Sequence, residues 1–281
     1  MTYDQRTVAD YFDALGDREW DRLETSLQGR IKYAVHQRLI AQQVLPGMRV
    51  LDVGAGPGRF ALDIVERGAS VTLVDLSQVQ LDLARERLSA RSALDQCGGF
   101  HRLDVLDLTS LGAASYDVVV CFGGAVSYTR ERHMDALDQL ARVTRPGGRI
   151  LLSVMSLYGV LRLLGPLDAA TFLETVEEHL DWQAVLSGAS VVYTQPGSPE
   201  FHQPLALFTA GGLRAALIST GFEVEAVATS NPLVAEQQPL PRIAENARAA
   251  RALTSLEIAL SQQPGLVDAG SHLLAVAKKS G

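Results

Sequence analysis

Apolar positions along this chain follow two rhythms, one helical and one extended. Val8, Tyr11, Phe12 and Leu15 fall at i, i+3, i+4 and i+7, one face of a helix that Gly16-Asp17 closes. Trp20, Leu23 and Leu27 carry a second stripe that Gly29 interrupts, and Ile31, Val35 and Leu39 restart a third that ends at Pro46-Gly47. From Met48 short apolar runs alternate with helical segments. Residues 49–53, 70–75, 100–104, 116–122 and 149–154 read as strands, with helices over 60–67, 79–90 and 130–143. The 116–122 run is almost continuously apolar, which suits a strand covered on both faces. Strand–helix alternation of this kind implies an α/β fold, a doubly wound and mainly parallel sheet.

Residues 156–205 break the alternation. They hold a helix over 168–180, a strand over 190–194 and a turn at Pro196-Gly197-Ser198-Pro199. A helix over 210–220 stops at Gly221, and a strand (222–228), a long helix (241–262) and a last strand (272–277) follow. The pattern divides the chain into a helical N-terminal lid (1–29), a main domain (30–155 and 206–281) and a cap insertion over the ligand-binding edge (156–205).

The first strand runs into Leu51-Asp52-Val53-Gly54-Ala55-Gly56-Pro57-Gly58, an acid and then glycines spaced G-x-G-x-G ahead of a helix. Glycine lets the backbone turn sharply and lets a ligand approach main-chain N–H groups at a helix N-terminus. That spacing alone also describes a tight turn with no ligand. Asp75 and Asp104 end the next two strands. Ligands of open parallel sheets lie beyond the carboxyl ends of the strands, so Asp52, Asp75 and Asp104 can face one crevice. Asp75 is placed to accept from both hydroxyls of a ribose. Asp104, with the N–H of Val105, can address an exocyclic amine and ring of adenine. A dinucleotide loop needs glycine where Arg59 stands, and the Gly-Lys-Ser/Thr of a phosphate loop is absent.

In this order the motifs resemble the class I S-adenosylmethionine-dependent methyltransferases. The resemblance rests on 51–58, on Val74-Asp75-Leu76-Ser77, on Leu103-Asp104-Val105-Leu106-Asp107-Leu108, on Tyr116-Asp117-Val118-Val119-Val120, and on 140–148. It covers 48–154 firmly and 205–277 loosely. It implies a Rossmann-like, seven-stranded sheet whose last strand inserts antiparallel, and S-adenosyl-L-methionine as cofactor. The methionine end would lie on Gly54, Ala55, Gly56 and Gly58, the ribose on Asp75, and the adenine on Asp104 and Val105. Asp52, Leu76, Phe122 and Gly123 complete the expected cofactor-binding set. Tyr11, in a Tyr-aromatic-Asp pattern that small-molecule members carry, would close over the methionine part. The segment after strand four, 121–128, would lie near the reacting methyl. It lacks the Asn/Asp-Pro-Pro-aromatic motif of methyltransferases that act on exocyclic amines of nucleic acids and on glutamine.

Two catalytic candidates emerge. Tyr128, at a strand end, can hydrogen-bond a nucleophile or pack as a helix-start aromatic. His202, beside Phe201, can act as a base or be an ordinary loop histidine. His36 shares a helix with Lys32 and Tyr33 and reads as surface, while His179 and Trp182 either line a substrate pocket or pack. Cys121 reads as a small buried hydrophobe. No His/Cys/Asp/Glu set stands at ligand spacing, so no catalytic metal is expected.

Composition narrows the partners. The 281 residues, 47% hydrophobic and 20% charged, suit a soluble globular protein with an appended cap. A net charge of -7 makes nucleic acid a poor partner, and Arg85, Arg87 and Arg91 read as a solvated helix face. Two cysteines without a framework suit a reduced, cytoplasmic protein. The N-terminus lacks a leader pattern, and the most apolar later stretch is interrupted by Arg162, so no membrane is expected. The expected activity is methyl transfer to oxygen or nitrogen, less favourably carbon, of a small-molecule acceptor. Methylation of RNA or protein and a non-catalytic cofactor-binding scaffold are the alternatives, and the oligomeric state is open between monomer and homodimer.

Overall fold

The computed structural model describes residues 2–162, 168–187, 191–193, 204–234 and 240–281. Helices α1 (Gln5–Leu15), α2 (Arg18–Asp21) and α3 (Leu27–Gln43) precede the sheet. Helices α4 (Arg59–Glu66), α5 (Gln78–Ala90), α6 (Ala125–Tyr128) and α7 (His133–Val143) lie among the first five strands. Then come α8 (Leu157–Leu161), α9 (Ala169–Glu174), α10 (Trp182–Ser187), α11 (Ala210–Ser219), α12 (Pro241–Ala244) and α13 (Ala247–Leu260).

Strands β1 (Arg49–Val53), β2 (Ser70–Asp75), β3 (Cys97–Arg102), β4 (Tyr116–Cys121) and β5 (Thr144–Met155) pair in parallel. A small antiparallel pair, β6 (Val191–Tyr193) with β7 (Leu205–Leu207), stands apart. The main sheet continues with β8 (Phe222–Ser230) and β9 (His272–Lys279) in the order β3-β2-β1-β4-β5-β9-β8. The last strand runs antiparallel between β5 and β8, as expected from the resemblance. Because the chain winds outward from β1 to β3 and then crosses back to β4, a crevice opens at the carboxyl ends of β1 and β4.

The two-residue period of the strands sorts their side chains into two cores. Val50, Val118, Val120 and Leu151 face a layer built from α3, α4 and α5, among them Leu39, Ile64 and Leu88. Leu51, Val119, Cys121 and Leu152 face the other side, under Leu137 and Leu140 of α7 and Leu213 of α11. Leu51, Leu137 and Leu140 are fully buried, and truncating such a leucine to alanine costs about 2–5 kcal/mol. A third apolar cluster, Leu157, Val160, Leu180, Val185, Leu205 and Leu207, has Tyr128 and Met155 packed against it, and Tyr128 joins it to the crevice.

Several element bounds differ from those that periodicity predicts. Helix α3 starts at Leu27 and runs through Gly29, because the Ser26 side chain caps it by accepting from Gly29 N. A Cβ at Gly29 would lie 2.2 Å from Arg22 O, so glycine here admits the crossing lid chain. Strand β3 begins earlier, at Cys97, where Gly98 passes close to Thr72, and Asp104 stands in the loop beyond it. The predicted 130–143 helix starts at His133. The chain leaves β4 through Gly123 and Gly124, both left-handed at φ +75° and +87°, and makes α6 first. The 241–262 helix divides at Asn246, whose side chain caps α13. The predicted turn at 196–199 lies outside the described residues.

Gly58 sits at φ +82° at the start of α4, and a Cβ there would approach the Ala84 Cβ of α5 to 3.0 Å. The Gly58→Ala variant is expected to lose about 1–3 kcal/mol of stability from left-handed backbone and overpacking together. An unchanged denaturation midpoint would show that α4 and α5 do not meet there.

Candidate active site

The loop after β1 is stitched to the tip of β2. Gly54 N and Ala55 N both donate to Val74 O, at 2.8 and 3.0 Å. Gly56 N donates to Asp75 Oδ2 at 2.8 Å, and Ser77 N donates to Asp75 Oδ1 at 2.8 Å. Gly54 and Gly56 are left-handed, and a Cβ on Gly54 would lie 2.9 Å from the Ala125 Cβ. Beyond this loop lies a cavity at the carboxyl ends of the strands. Val53, Gly54, Gly56, Asp75 and Leu76 form its floor, Leu103 and Val105 one side, and Phe122, Gly123 and Tyr128 the other.

The three acids occupy this one edge with different surroundings. Asp75 borders the cavity; burial pushes its carboxyl up to about 6, against the amides of Ser77 and Gly56, which favour the charged form. Asp52 is 1% exposed, lies beneath the loop, and its Oδ2 has no hydrogen-bond partner. Burial first, then the charges of Asp75 and Asp63, push Asp52 up to about 8. Asp104 accepts from Leu106 N through Oδ1 and from the Tyr3 hydroxyl through Oδ2 at 2.8 Å.

The N-terminal segment roofs the cavity with Tyr3, Val8, Phe12 and Glu19. It is pinned on several sides: Tyr3 N to Glu131, the Ser77 hydroxyl to Asp13, and the Gln80 amide to Phe12 O and Gly16 O. Arg87, expected on a solvated face, instead pairs with Asp17 and lies over the Trp20 ring at 4.6 Å. Arg59 is held between the rings of Trp20 (4.2 Å) and Tyr33 (4.4 Å) and pairs with Glu24. Phe12, not its neighbour Tyr11, faces the cavity, and Tyr11 packs edge-on against Phe12 at 5.0 Å. Tyr128 meets Phe12 edge-on at 5.3 Å, and burial pushes its hydroxyl well up, so it stays protonated near neutrality. Gly58 serves helix packing, away from the cavity wall. His202 lies outside the described residues. Trp182 is 47% exposed on the insertion and lines neither chamber.

A second chamber adjoins the first and shares Glu19, Gly54, Gly56, Phe122 and Gly123 with it. Its remaining walls include Arg22, Lys32, His36, Phe60 and His272. His36 and His272, 2% and 3% exposed, are buried histidines that pattern reading missed. A signal was present for His36: Lys32, Val35, His36 and Leu39 fall at i, i+3, i+4 and i+7, so the ring shares the inward face of α3.

These groups fit a nucleoside that carries a sulfonium. Asp75 is a buried carboxylate with lone pairs beyond those its two amides use. The glycine loop leaves space that side chains would fill, and aromatic rings border both chambers. Among the described residues no group of three or more His, Cys, Asp or Glu could hold a metal ion.

Comparison with known proteins agrees with this geometry. Residues 50–148 match the methyltransferase domain family. The ubiquinone biosynthesis O-methyltransferase of Alkalilimnicola ehrlichii is 30% identical over 192 residues, 64% of this chain and 73% of that protein. The malonyl-[acyl-carrier protein] O-methyltransferase of Serratia marcescens is 36% identical over 138 residues, 47% of this chain; the match spans half the length of that relative. Among solved structures, magnesium protoporphyrin IX methyltransferase from Synechocystis, with S-adenosylhomocysteine bound, superposes with a TM-score of 0.60. That alignment is 19% identical and covers 99% of this chain and 100% of that one, a likeness of fold.

Two expectations follow from the acids. Asp75→Ala should weaken S-adenosylhomocysteine binding by about 1.5–3 kcal/mol, the scale of a hydrogen bond to a charged group. Wild-type affinity should fall as pH drops through about 6 and Asp75 protonates, and Asp75→Asn should remove that dependence; calorimetry across this pH range checks both. For Asp52, the folded-state value of about 8 exceeds the unfolded 3.8, so the folded state holds the extra proton. Its contribution to stability is therefore present at low pH and lost as pH rises through that window. Denaturation of the ligand-free protein should show this decline, and Asp52→Asn should flatten it.

Proposed function

Because this chain belongs to the class I S-adenosylmethionine-dependent methyltransferases, we propose that it methylates an oxygen or nitrogen atom of a small-molecule acceptor. The observation that carries this reading is the pair of adjoining chambers, one floored by Asp75 and the glycine loop, the other walled by aromatic rings. The cofactor, when bound, supplies a methyl group made electrophilic by its sulfonium sulfur. Asp52, Asp75, Leu76, Asp104 and Val105, with Gly54, Ala55 and Gly56 of the loop, Phe122 and Gly123, are the residues we assign to holding it.

The protein's part is largely alignment and exclusion of water. Holding two reactants in an in-line geometry can supply about 7–11 kcal/mol of a barrier at the upper end. Tyr3, Val8 and Phe12 cover the first chamber, so solvent competes poorly there. Ring faces of Phe12, Tyr128, Phe60 and Phe122 suit a positive sulfur. Tyr128, kept protonated by burial, acts as a hydrogen-bond donor at the reacting end and not as a base. In this reading 1–29 is the lid and 156–205 the cap over the acceptor.

Several features support a small acceptor over a macromolecule. The lid closes over the chambers, the net charge is -7, and the segment after β4 reads Cys-Phe-Gly-Gly. The relatives named for ubiquinone biosynthesis and for malonyl-carrier methylation act on oxygen, which puts an oxygen acceptor first. No helix among the described residues is long and apolar enough to cross a membrane, and Cys97 and Cys121 are unpaired, in keeping with a cytoplasmic site.

S-adenosylhomocysteine is expected to raise the melting temperature of the purified protein, by linkage, while NADH leaves it unchanged. Tyr128→Phe should lower kcat for a turned-over acceptor more than it weakens cofactor binding. A melting temperature indifferent to both S-adenosylmethionine and its demethylated product would end this reading.

A further inference from the structure

We propose that the second chamber seats the methyl acceptor, a planar hydroxylated aromatic, and that His36 Nε2 receives the proton of its hydroxyl. The inference rests on the methyltransferase reading and adds a substrate class and a catalytic residue to it.

The tautomer of His36 follows from one contact. Its Nδ1 lies 2.8 Å from Lys32 O. A carbonyl oxygen can only accept, so Nδ1 carries the hydrogen and donates it. The neutral ring then has its lone pair at Nε2, and the contact with Lys32 O is the hydrogen bond the imidazole makes among the described residues. Three rings fix its direction. Phe60 stacks on the imidazole with centroids 5.6 Å apart, Phe122 meets it edge-on at 4.8 Å, and His272 at 6.2 Å. A side chain so clamped, 2% exposed and bordering a cavity, is placed to accept from a bound molecule.

Burial keeps the ring in the basic form. Lys32 on its own helix, Arg22 and Glu19 from the lid, Arg59 from α4 and His272 from β9 border the same chamber. Burial, with Lys32 adding a smaller repulsion, lowers His36 to about 4, so it is neutral throughout the physiological range. His272 is lowered likewise, mainly by burial.

The walls select the acceptor. Phe60, Phe122 and the two imidazoles offer flat ring faces to a planar aromatic guest. The shared border at Gly54, Phe122 and Gly123 brings this chamber to the reacting end of the first. As the acceptor oxygen bonds to the methyl carbon, the pair of the breaking sulfur–carbon bond stays on sulfur. The hydroxyl proton passes to Nε2, and the imidazolium returns it to solvent once product leaves. A positioned base of this kind contributes about 10²–10⁴-fold in rate.

The test uses full-length protein labelled with ¹⁵N-histidine and saturated with S-adenosylhomocysteine. Phenol and anisole are the probes, since they share a ring and differ in the donor hydroxyl. Phenol should shift the His36 Nε2 resonance, identified by its loss in His36→Asn, while anisole shifts the resonances of His272 in the same chamber and leaves His36 Nε2 unmoved. Equal shifts from both probes, or none from either, overturn the proposal. Because S-adenosylhomocysteine binding is measured first, failure at that step overturns the family reading instead, and this proposal with it. Once a phenolic acceptor is turned over, His36→Asn should lower kcat 10²–10⁴-fold with cofactor affinity unchanged and partial rescue by added imidazole. An unchanged kcat would remove His36 from the reaction.

Discussion

One carbonyl organises this molecule's working edge. Val74 O accepts from both Gly54 N and Ala55 N, and the next residue, Asp75, accepts from Gly56 N. Three successive amides of the loop after β1 are thereby fixed against the tip of β2. A loop so bonded cannot drift relative to the neighbouring strand, and backbone groups left unpaired in a buried turn would be costly. Left-handed φ angles at Gly54 and Gly56 are the condition for this path, since an L side chain there costs roughly 1–2 kcal/mol in strain alone. The same bonds aim the Asp75 carboxylate along the crevice and separate the two chambers at a common border. Shape, charge and access at the site all descend from that registration.

The N-terminal segment depends on it in turn. Ser77, whose N–H holds Asp75, also donates through its hydroxyl to Asp13 of α1. Gln80, one turn further along α5, donates to two carbonyls at the end of α1. Tyr3 reaches Asp104 beyond β3, so the roof is tied to the tips of two strands at once. Arg59 and Arg87 share the Trp20 ring and reach Glu24 and Asp17. Exposed ion pairs of this kind are worth little singly. Stacked on an aromatic ring and combined with neutral hydrogen bonds, they give the roof a defined seat.

How much was legible beforehand follows from the range of each interaction. Strand positions, the glycine loop and the order of Asp52, Asp75 and Asp104 are local patterns, and the mainly parallel sheet they predict is present, with the antiparallel last strand that the resemblance implied. Helix bounds were less legible where a distant chain intrudes: nothing local to Gly29 announces the Arg22 carbonyl crowding it. The reversal at Gly123-Gly124 and the Asn246 cap are local chemistry that an apolar period overlooks. His36 was misplaced on the surface because polarity was weighed above position; its helical phase with Val35 and Leu39 points inward. His272 had no such signal, since only the antiparallel insertion of β9 between β5 and β8 brings its first residue to the crevice.

The titrating groups of this edge share one physical origin. Asp52, Asp75, His36 and His272 are each displaced toward their neutral forms, and burial is the largest cause in every case. Burying a polar group without full pairing costs free energy that a leucine in the same place would not. Asp52, with one oxygen unpartnered, therefore opposes folding at neutral pH, while the surrounding Val50, Leu51 and Val53 favour it. Neutral imidazoles are also what such a site requires before a positive ligand arrives, whereas Asp75, at about 6, is still largely ionised near neutrality and attracts it. An imidazole already protonated would repel a sulfonium, and a phenol already ionised at Tyr128 would lose its hydrogen-bond donor. Burial thus sets the protonation states of the imidazoles and of Tyr128 in the direction that the chemistry uses, and the apolar cores on both faces of the sheet supply the stability that makes it tolerable.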